Sequence, residues 1–579
     1  MWSLYNANNE FLEPLKFSNG KTQSHIVDEV LKAIKEGTKI ILIHGVCGTG
    51  KSAIALNIAK ELGKTSIVVP GKNLQNQYKK DYENNKYLKK DNGEKLKISV
   101  ITGRNNHKCK FLEDNSEAIP IFKKEENLKL NTLFEGLKKK INNNIGNDLS
   151  ADNLNLPCKI EIREKNWEKI KEYLKQNNKI NWADFDDIKD VRRLSIAPVC
   201  PYWSPVISDN YDLKFSGEFV KRKYQGINGE YAFYQRKEGC PFYEQFNSYI
   251  DADVIIFNSQ KYKIEFALGR KPKTEADVID ECDEFLDSFS NQRTINIDRL
   301  QNSLLHLVST GIDKTTEDKI GNILKIIKEI KNDGQINEII QDQKIVSIKE
   351  TLVSDLVNLF LKDSFLGEID ADDGSYILET EETAKIFEEV LDDTYLIIEK
   401  NKFEKEKEQI MINLVTTNLA KKFKELVDKN EILILMSGTL HSENVLKNIF
   451  GITNYKMIYA ETESQGEIEI ARTGLEKDCK YENFSRGVIS REEYLKSLDK
   501  CVDKAKKPLL VHVNAYYDLP SSEEISRFKL KNVLSREKLV EMQKEDKESK
   551  IVLDFKNKDF DVLFTTKCGR GVDFPGEEC

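Results

Sequence analysis

Lys39-Ile-Ile-Leu-Ile-His44 runs directly into Gly45-Val-Cys-Gly-Thr-Gly-Lys-Ser52, and these two pieces decide the reading of the chain. The first is a short β-branched apolar run, the pattern of a strand buried on both faces of a parallel sheet. The second meets every fixed position of G-x-x-x-x-G-K-[ST]. From Ser52 the apolar residues recur at helical spacing until Gly63, a helix-ending residue. Strand, glycine-rich turn and helix together predict a polyphosphate cradle. Gly45, Gly48 and Gly50, with Thr49 between the last two, let successive backbone N–H groups face one anion. The helix N-terminus adds partial positive charge. Lys51 is expected to reach the β- and γ-phosphates of ATP, and the Ser52 hydroxyl to ligate Mg²⁺.

A second acid-bearing strand is expected to complete such a site. Ala276-Asp-Val-Ile-Asp-Glu-Cys-Asp283 supplies it, with Asp280 as the acid that holds Mg²⁺ and Glu281 as the base that orients the attacking water. The rest of the composition narrows the class. The 579 residues exceed one compact core and suggest about three or four domains. Charged residues make up 32% and apolar ones 39%, with a mean hydropathy of −0.54. No apolar run approaches the ~20 residues needed to cross a bilayer. The first residues lack the basic flank and apolar core of a secretory signal. A membrane partner is therefore not expected. A net charge of −8 leaves no global basic footprint, so nucleic-acid contact must come from local patches.

Further segments occur in a telling order. Ser66-Ile-Val-Val-Pro70 leads to Gly71-Lys-Asn-Leu-Gln-Asn-Gln77, and Asp251-Ala-Asp-Val-Ile-Ile-Phe-Asn-Ser259 precedes the acidic strand. Leu435-Met-Ser-Gly-Thr-Leu440, Lys507-Pro-Leu-Leu-Val-His-Val-Asn514 and Asp561-Val-Leu-Phe-Thr-Thr-Lys-Cys-Gly-Arg-Gly-Val-Asp-Phe574 follow. In this order they resemble motifs Ia, III, IV and V of superfamily 2 helicases, and Asp-Glu-Cys-Asp at 280–283 resembles their DEAH/DEAD box. The branch most resembled is the iron–sulfur helicases related to XPD and DinG. The resemblance implies an α/β fold with two RecA-like P-loop motor domains, the first interrupted by an iron–sulfur domain and a helical arch.

On this reading, residues 1–108, 241–289 and 412–440 form the first motor, with the iron–sulfur domain at 109–240 and the arch at 290–411. Residues 441–579 belong to the second motor. The resemblance further implies adenine reading by Gln23, a residue that also suits a plain helix start. Nucleic-acid contact or coupling is implied for Lys72, Gln75, Ser437, Gly438, Thr439, Arg570, Gly571 and Asp573.

Between the glycine-rich turn and the acidic strand stand Cys109, Cys158, Cys200 and Cys240. Four thiolates suit an iron–sulfur cluster or zinc, and four small buried residues are the plain alternative. The absence of C-x-x-C weakens a zinc ribbon. The resemblance selects a [4Fe–4S] cluster, although the middle two cysteines lie farther apart than in XPD relatives. Tyr202 and Trp203 beside Cys200 suit either base stacking or core packing. Residues 64–97 carry nine lysines against Asp81, Glu83, Asp91 and Glu94, the composition of a phosphate-holding patch or of a solvated helix face. Residues 290–411 read as mostly helical, with Ile320, Ile323, Leu324 and Ile327 on one face.

No Q-x-x-G-R-x-x-R follows motif V, so the chain is expected to stop inside its second motor and to hydrolyse nucleotide poorly by itself. The resemblance implies an ATP-hydrolysing DNA helicase moving 5′-to-3′ on single-stranded or forked DNA in repair or replication. It also implies a cytoplasmic, nucleoid-associated setting, or a nuclear one in a eukaryote. Two alternatives stay open: an RNA helicase or remodeller, suggested by the DEAD-like Asp283, and an ATP-binding nucleic-acid module without unwinding activity.

Overall fold

The computed structural model describes residues 2–115, 148–210, 219–289, 291–309, 314–362, 375–401, 408–463, 476–546, 550–568 and 574. Arg570, Gly571 and Asp573 lie outside the described residues. The chain forms an α/β fold that divides into two compact units, one of Met1–Val27, Val46–Thr274 and Glu461–Cys579, the other of Asp28–Gly45 and Glu275–Ala460.

In the second unit the predicted strand is present as Ile40–His44. It lies in a parallel sheet between Lys456–Tyr459 and Leu433–Ser437, and Ala276–Asp280 pairs with the far side of Leu433–Ser437. Val278 faces Ile434 and Asp280 faces Met436 across the register. Ile41, Leu42, Ile43, Val278, Ile279 and the whole run Leu433–Met436 expose no surface. Uninterrupted apolar runs of this kind belong to strands covered on both faces.

The same unit carries the expected helices. Helices Ile297–Ser309, Lys314–Asn332, Gly334–Asp342, Val353–Lys362 and Ser375–Phe387 surround a core that includes Leu304, Ile320, Ile327, Phe360 and Phe387. They are not alone, because an antiparallel sheet accompanies them in the order Asn291–Asn296, Gln409–Thr416, Thr394–Asn401, Val346–Ser347. In Gln409–Thr416, Ile412, Leu414 and Thr416 are buried while their neighbours are half-buried, the period-2 signature of a strand.

In the first unit a parallel sheet runs Thr65–Val69, Val254–Asn258, Ile98–Ile101. Helix Lys51–Leu62 buries every residue from Ala53 to Ala59. A three-stranded antiparallel sheet has Gly229–Gln235 between Val206–Ser208 and Val220–Gly226. Strands Leu509–His512 and Val562–Thr565 pair in parallel over a core of Leu495, Val502, Leu539 and Phe564. Within this unit Glu265 exposes no surface and is held by Arg270 Nε and Nη2 at 2.6 and 2.7 Å and by Lys261 at 2.7 Å.

Candidate functional site

The glycine-rich turn opens into a helix, as its residues predict. Gly48 and Gly50 take φ of 85° and 71°, the left-handed region that glycine enters without steric cost. Helix Lys51–Leu62 starts immediately after Gly50, so Lys51 and Ser52 occupy its first turn. Thr49 folds its hydroxyl back onto the Val46 carbonyl at 2.6 Å. Gln23, which is buried, donates from Nε2 to the Thr49 carbonyl at 3.0 Å and accepts the Leu15 N–H at 2.9 Å. Its amide therefore braces the turn from outside. A Cβ at Gly50 would lie 2.3 Å from Gln23 Nε2 and would push that amide off the Thr49 carbonyl, while the φ angle itself favours glycine there.

Glu461 supplies a second brace that the sequence did not reveal. Its carbonyl accepts the Val46 N–H at 2.9 Å. Its carboxylate accepts the Ser18 hydroxyl and, at 2.8 Å, the Ser18 N–H, together with the N–H groups of Thr462 and Glu463 at 3.0 Å. The Ser18 bonds foremost, then those from Glu463 and Thr462, hold this carboxyl down at about 2. Only the folded chain joins positions 18 and 461, so no local motif could have signalled them. Gly45 donates to the Ser437 carbonyl at 3.1 Å.

The acidic turn is equally organised. Asp280 ends its strand buried, and its Oδ1 accepts the Glu281 N–H at 3.1 Å. Glu281 has φ of 51°, a left-handed conformation uncommon outside glycine and concentrated at functional sites, and it caps helix Cys282–Asp287. Asp283 accepts the Ser437 hydroxyl at 2.7 Å on one oxygen and the Thr439 hydroxyl at 2.8 Å on the other. Ser437 Oγ also lies 3.3 Å from Glu281 Oε2 and accepts the Thr439 N–H. The Gly438 carbonyl pairs with His44 Nε2 at 3.1 Å. Ser437 and Thr439 thus meet the acidic turn directly, and Asp283 is the group that joins them.

The residues of Gly71–Gln77 part company. Gln75 is fully buried, and its amide bonds the carbonyls of Ile101 and Ile256 and the Asn258 side chain, which makes it a fastener of the sheet. Lys72 lies at the start of helix Lys72–Lys79, where Asn73 donates to the Lys567 carbonyl at 3.1 Å. Desolvation, and after it the like charge of Lys567, lower the pKa of Lys72. Two neighbouring ammonium groups form a place where an anion is favoured.

The cysteines require a correction. Cys109, Cys200 and Cys240 are buried, Cys158 is half-buried, and the four lie within electrostatic reach of one another. Among the described residues, however, no group of three or more His, Cys, Asp or Glu side chains is placed to hold a metal ion. That overturns the expected [4Fe–4S] cluster. The Mg²⁺ expected at Ser52 and Asp280 finds no such group among the described residues either.

Cys158 Sγ instead accepts a hydrogen bond from Arg104 at 3.4 Å, and that guanidinium also bonds the Tyr243 hydroxyl and lies 4.3 Å over the Phe242 ring. Burial pushes the Cys109 thiol up to about 11 and Cys200 well above its usual value, as expected of cysteines packed as small hydrophobes. Tyr202 and Trp203 are buried in the same way, so they pack the core.

Similarity to known proteins is distant. The family described as "Type III restriction enzyme, res subunit" matches residues 16–181, less than half of the chain. No curated protein matches it. Among solved structures, one titled "XPD_Helicase" is 12% identical over 89% of this chain and 78% of its own, with a TM-score of 0.36. Another titled "XPD_APO" is 12% identical over 95% and 80%, with a TM-score of 0.38. A "Truncated XPD" is 14% identical over 75% and 98%, at 0.31. No helix among the described residues is long and apolar enough to cross a membrane.

Proposed function

We propose that this chain is an ATP-hydrolysing motor that acts on single-stranded nucleic acid, with DNA as its substrate and 5′-to-3′ travel. The observation that carries the reading is the glycine-rich turn itself. Two left-handed glycines lead into a helix N-terminus, and Gln23 and Glu461 brace the turn from outside. A glycine turn that opens into a helix N-terminus favours a polyphosphate. Lys51 is assigned to the terminal phosphates and Glu281 to the attacking water. The bonds from Asp283 to Ser437 and Thr439 support a role for motif III in passing the nucleotide state onward, and Lys72 and Lys567 suit a phosphate of the strand. On this reading residues 1–108, 241–289 and 412–440 serve as the first motor and 441–579 as part of the second. The segments 109–240 and 290–411 are insertions.

The test is ATP turnover with and without a single-stranded DNA oligonucleotide. Stimulation that disappears in Lys51→Ala supports the motor, and turnover indifferent to nucleic acid rejects it. RNA is the second reading, favoured by the aspartate at position 283. Single-stranded RNA stimulating more strongly than DNA of the same sequence would select it.

A further inference from the structure

The lysine-rich run 64–97 is not one solvated helix face. One of its members is neutralised locally and three gather at a groove. Lys90 pairs with Asp253 and Glu94, and Lys60, just upstream of the run, pairs with Asp91. Lys86, Lys95 and Lys97 instead line an open groove of about 700 Å³ together with Tyr82 and Tyr87. The floor is Ile98–Val100, on the strand that ends the parallel sheet of this unit. Of the two acids on the rim, Asp251 is paired with Arg222 at 2.6 Å, while Glu244 accepts the Gly239 N–H and keeps its charge against the three lysines. The groove therefore keeps a positive balance.

An aromatic ladder adjoins it. The strand pair Tyr5–Asn6 with Lys86–Tyr87 brings Tyr5 over Tyr87, ring centroids 5.6 Å apart and 19° from parallel. Phe11 meets the Tyr5 ring edge-on at 5.6 Å and is 44% exposed. Lys95 sits 4.0 Å from the Tyr87 centroid and Lys89 4.2 Å from that of Tyr5. Cation–ring contacts of this kind hold an ammonium group in place without neutralising it.

We propose that this groove and ladder form a second nucleic-acid site, which takes the phosphates of a single strand on Lys86, Lys95 and Lys97 and a base on Phe11. Fixed cations beside an exposed ring are the combination that binds single strands without regard to sequence. An open groove suits a chain of phosphates better than an isolated anion. The inference rests on the nucleic-acid reading above and adds a site remote in sequence from motifs III to V.

The test measures binding of a fluorescent oligo-dT to the full chain at several salt concentrations, for wild type, for Lys86→Gln/Lys95→Gln/Lys97→Gln and for Phe11→Ala. The triple variant is expected to lower the slope of log affinity against log salt by about 2, at ~0.7 per phosphate contact on a single strand. Phe11→Ala is expected to weaken binding roughly fivefold or more. Both variants should keep the ATP turnover seen without nucleic acid, which shows that they fold. Unchanged affinity and slope in both variants overturn this site while leaving the motor reading intact. A wild type that neither binds the oligonucleotide nor is stimulated by it overturns the motor reading itself. Competition by polyglutamate as strong as that by unlabelled oligo-dT would mark the groove as a general polyanion surface and reject the proposal.

Discussion

Asp283 accepts the hydroxyl of Ser437 at 2.7 Å, so the acidic turn after strand Ala276–Asp280 is fastened to the end of the neighbouring strand Leu433–Ser437. Both groups are buried, and the second carboxylate oxygen is taken by Thr439. A bond of this kind to a charged acceptor contributes about 1.5–3 kcal/mol. Removing one partner leaves the other with an unmet polar group, so the pair should behave as a unit. Asp283→Ala and Ser437→Ala, alone and combined, are expected to show a coupling of about 1–3 kcal/mol in urea unfolding. Additive losses would show that the two do not act together.

Gly50 should not tolerate a side chain. Its φ of 71° and the 2.3 Å approach of Gln23 Nε2 both oppose a Cβ. Gly50→Ala is expected to lose about 1–2 kcal/mol of stability through backbone strain alone. Pairing it with Gln23→Ala should recover the part due to the clash. Thermal melting of the three variants checks this, and an unshifted melting temperature in Gly50→Ala would contradict the geometry.

Glu461 predicts an acid-side stability effect. Its carboxyl is held at about 2 in the folded chain against an ordinary 4.5. A depressed carboxyl stabilises the fold fully above its unfolded value and loses that contribution as pH falls through the folded one. The loss therefore belongs between about pH 4.5 and pH 2. Denaturant titrations across this window should be steeper in pH for wild type than for Glu461→Gln, and identical pH dependence would count against the clamp on Ser18.

The ion cluster at Glu265 predicts a larger loss. Three N–H···O contacts from Arg270 and Lys261 compensate a carboxylate with no exposed surface. Glu265→Gln leaves two half-buried cations facing a neutral amide. The expected cost is about 3–5 kcal/mol, since breaking a buried pair strands a charge. A change below 1 kcal/mol in urea unfolding would refute that account.

What the sequence made legible was local. Strand Ile40–His44, the glycine turn and helix Lys51–Leu62 are contiguous in sequence and follow from periodicity and glycine placement alone. The strand Ala276–Asp280 was readable for the same reason. Glu461 was not, because its partners Ser18 and Val46 are brought to it only by folding. Gln75 looked like a ligand-facing polar residue because nothing in Gly71–Gln77 announces that its amide is spent on two strand carbonyls. The strand Asn291–Asn296 was lost among helices because its partner Gln409–Thr416 lies far along the chain, whereas Thr394–Asn401 pairs with that same partner as its neighbour in sequence. Spacing brought the four cysteines into one region but could not show that Arg104 engages Cys158.

The central claim is that the braced turn at Gly45–Ser52 holds a triphosphate whose hydrolysis answers to a nucleic-acid strand. It is tested most directly by steady-state ATP turnover of the full chain with and without single-stranded DNA, for wild type and Lys51→Ala. Turnover is expected to rise with DNA and to fall at least a hundredfold, about 2.7 kcal/mol, in Lys51→Ala. Turnover equal in the two proteins, or unmoved by any strand, would contradict it.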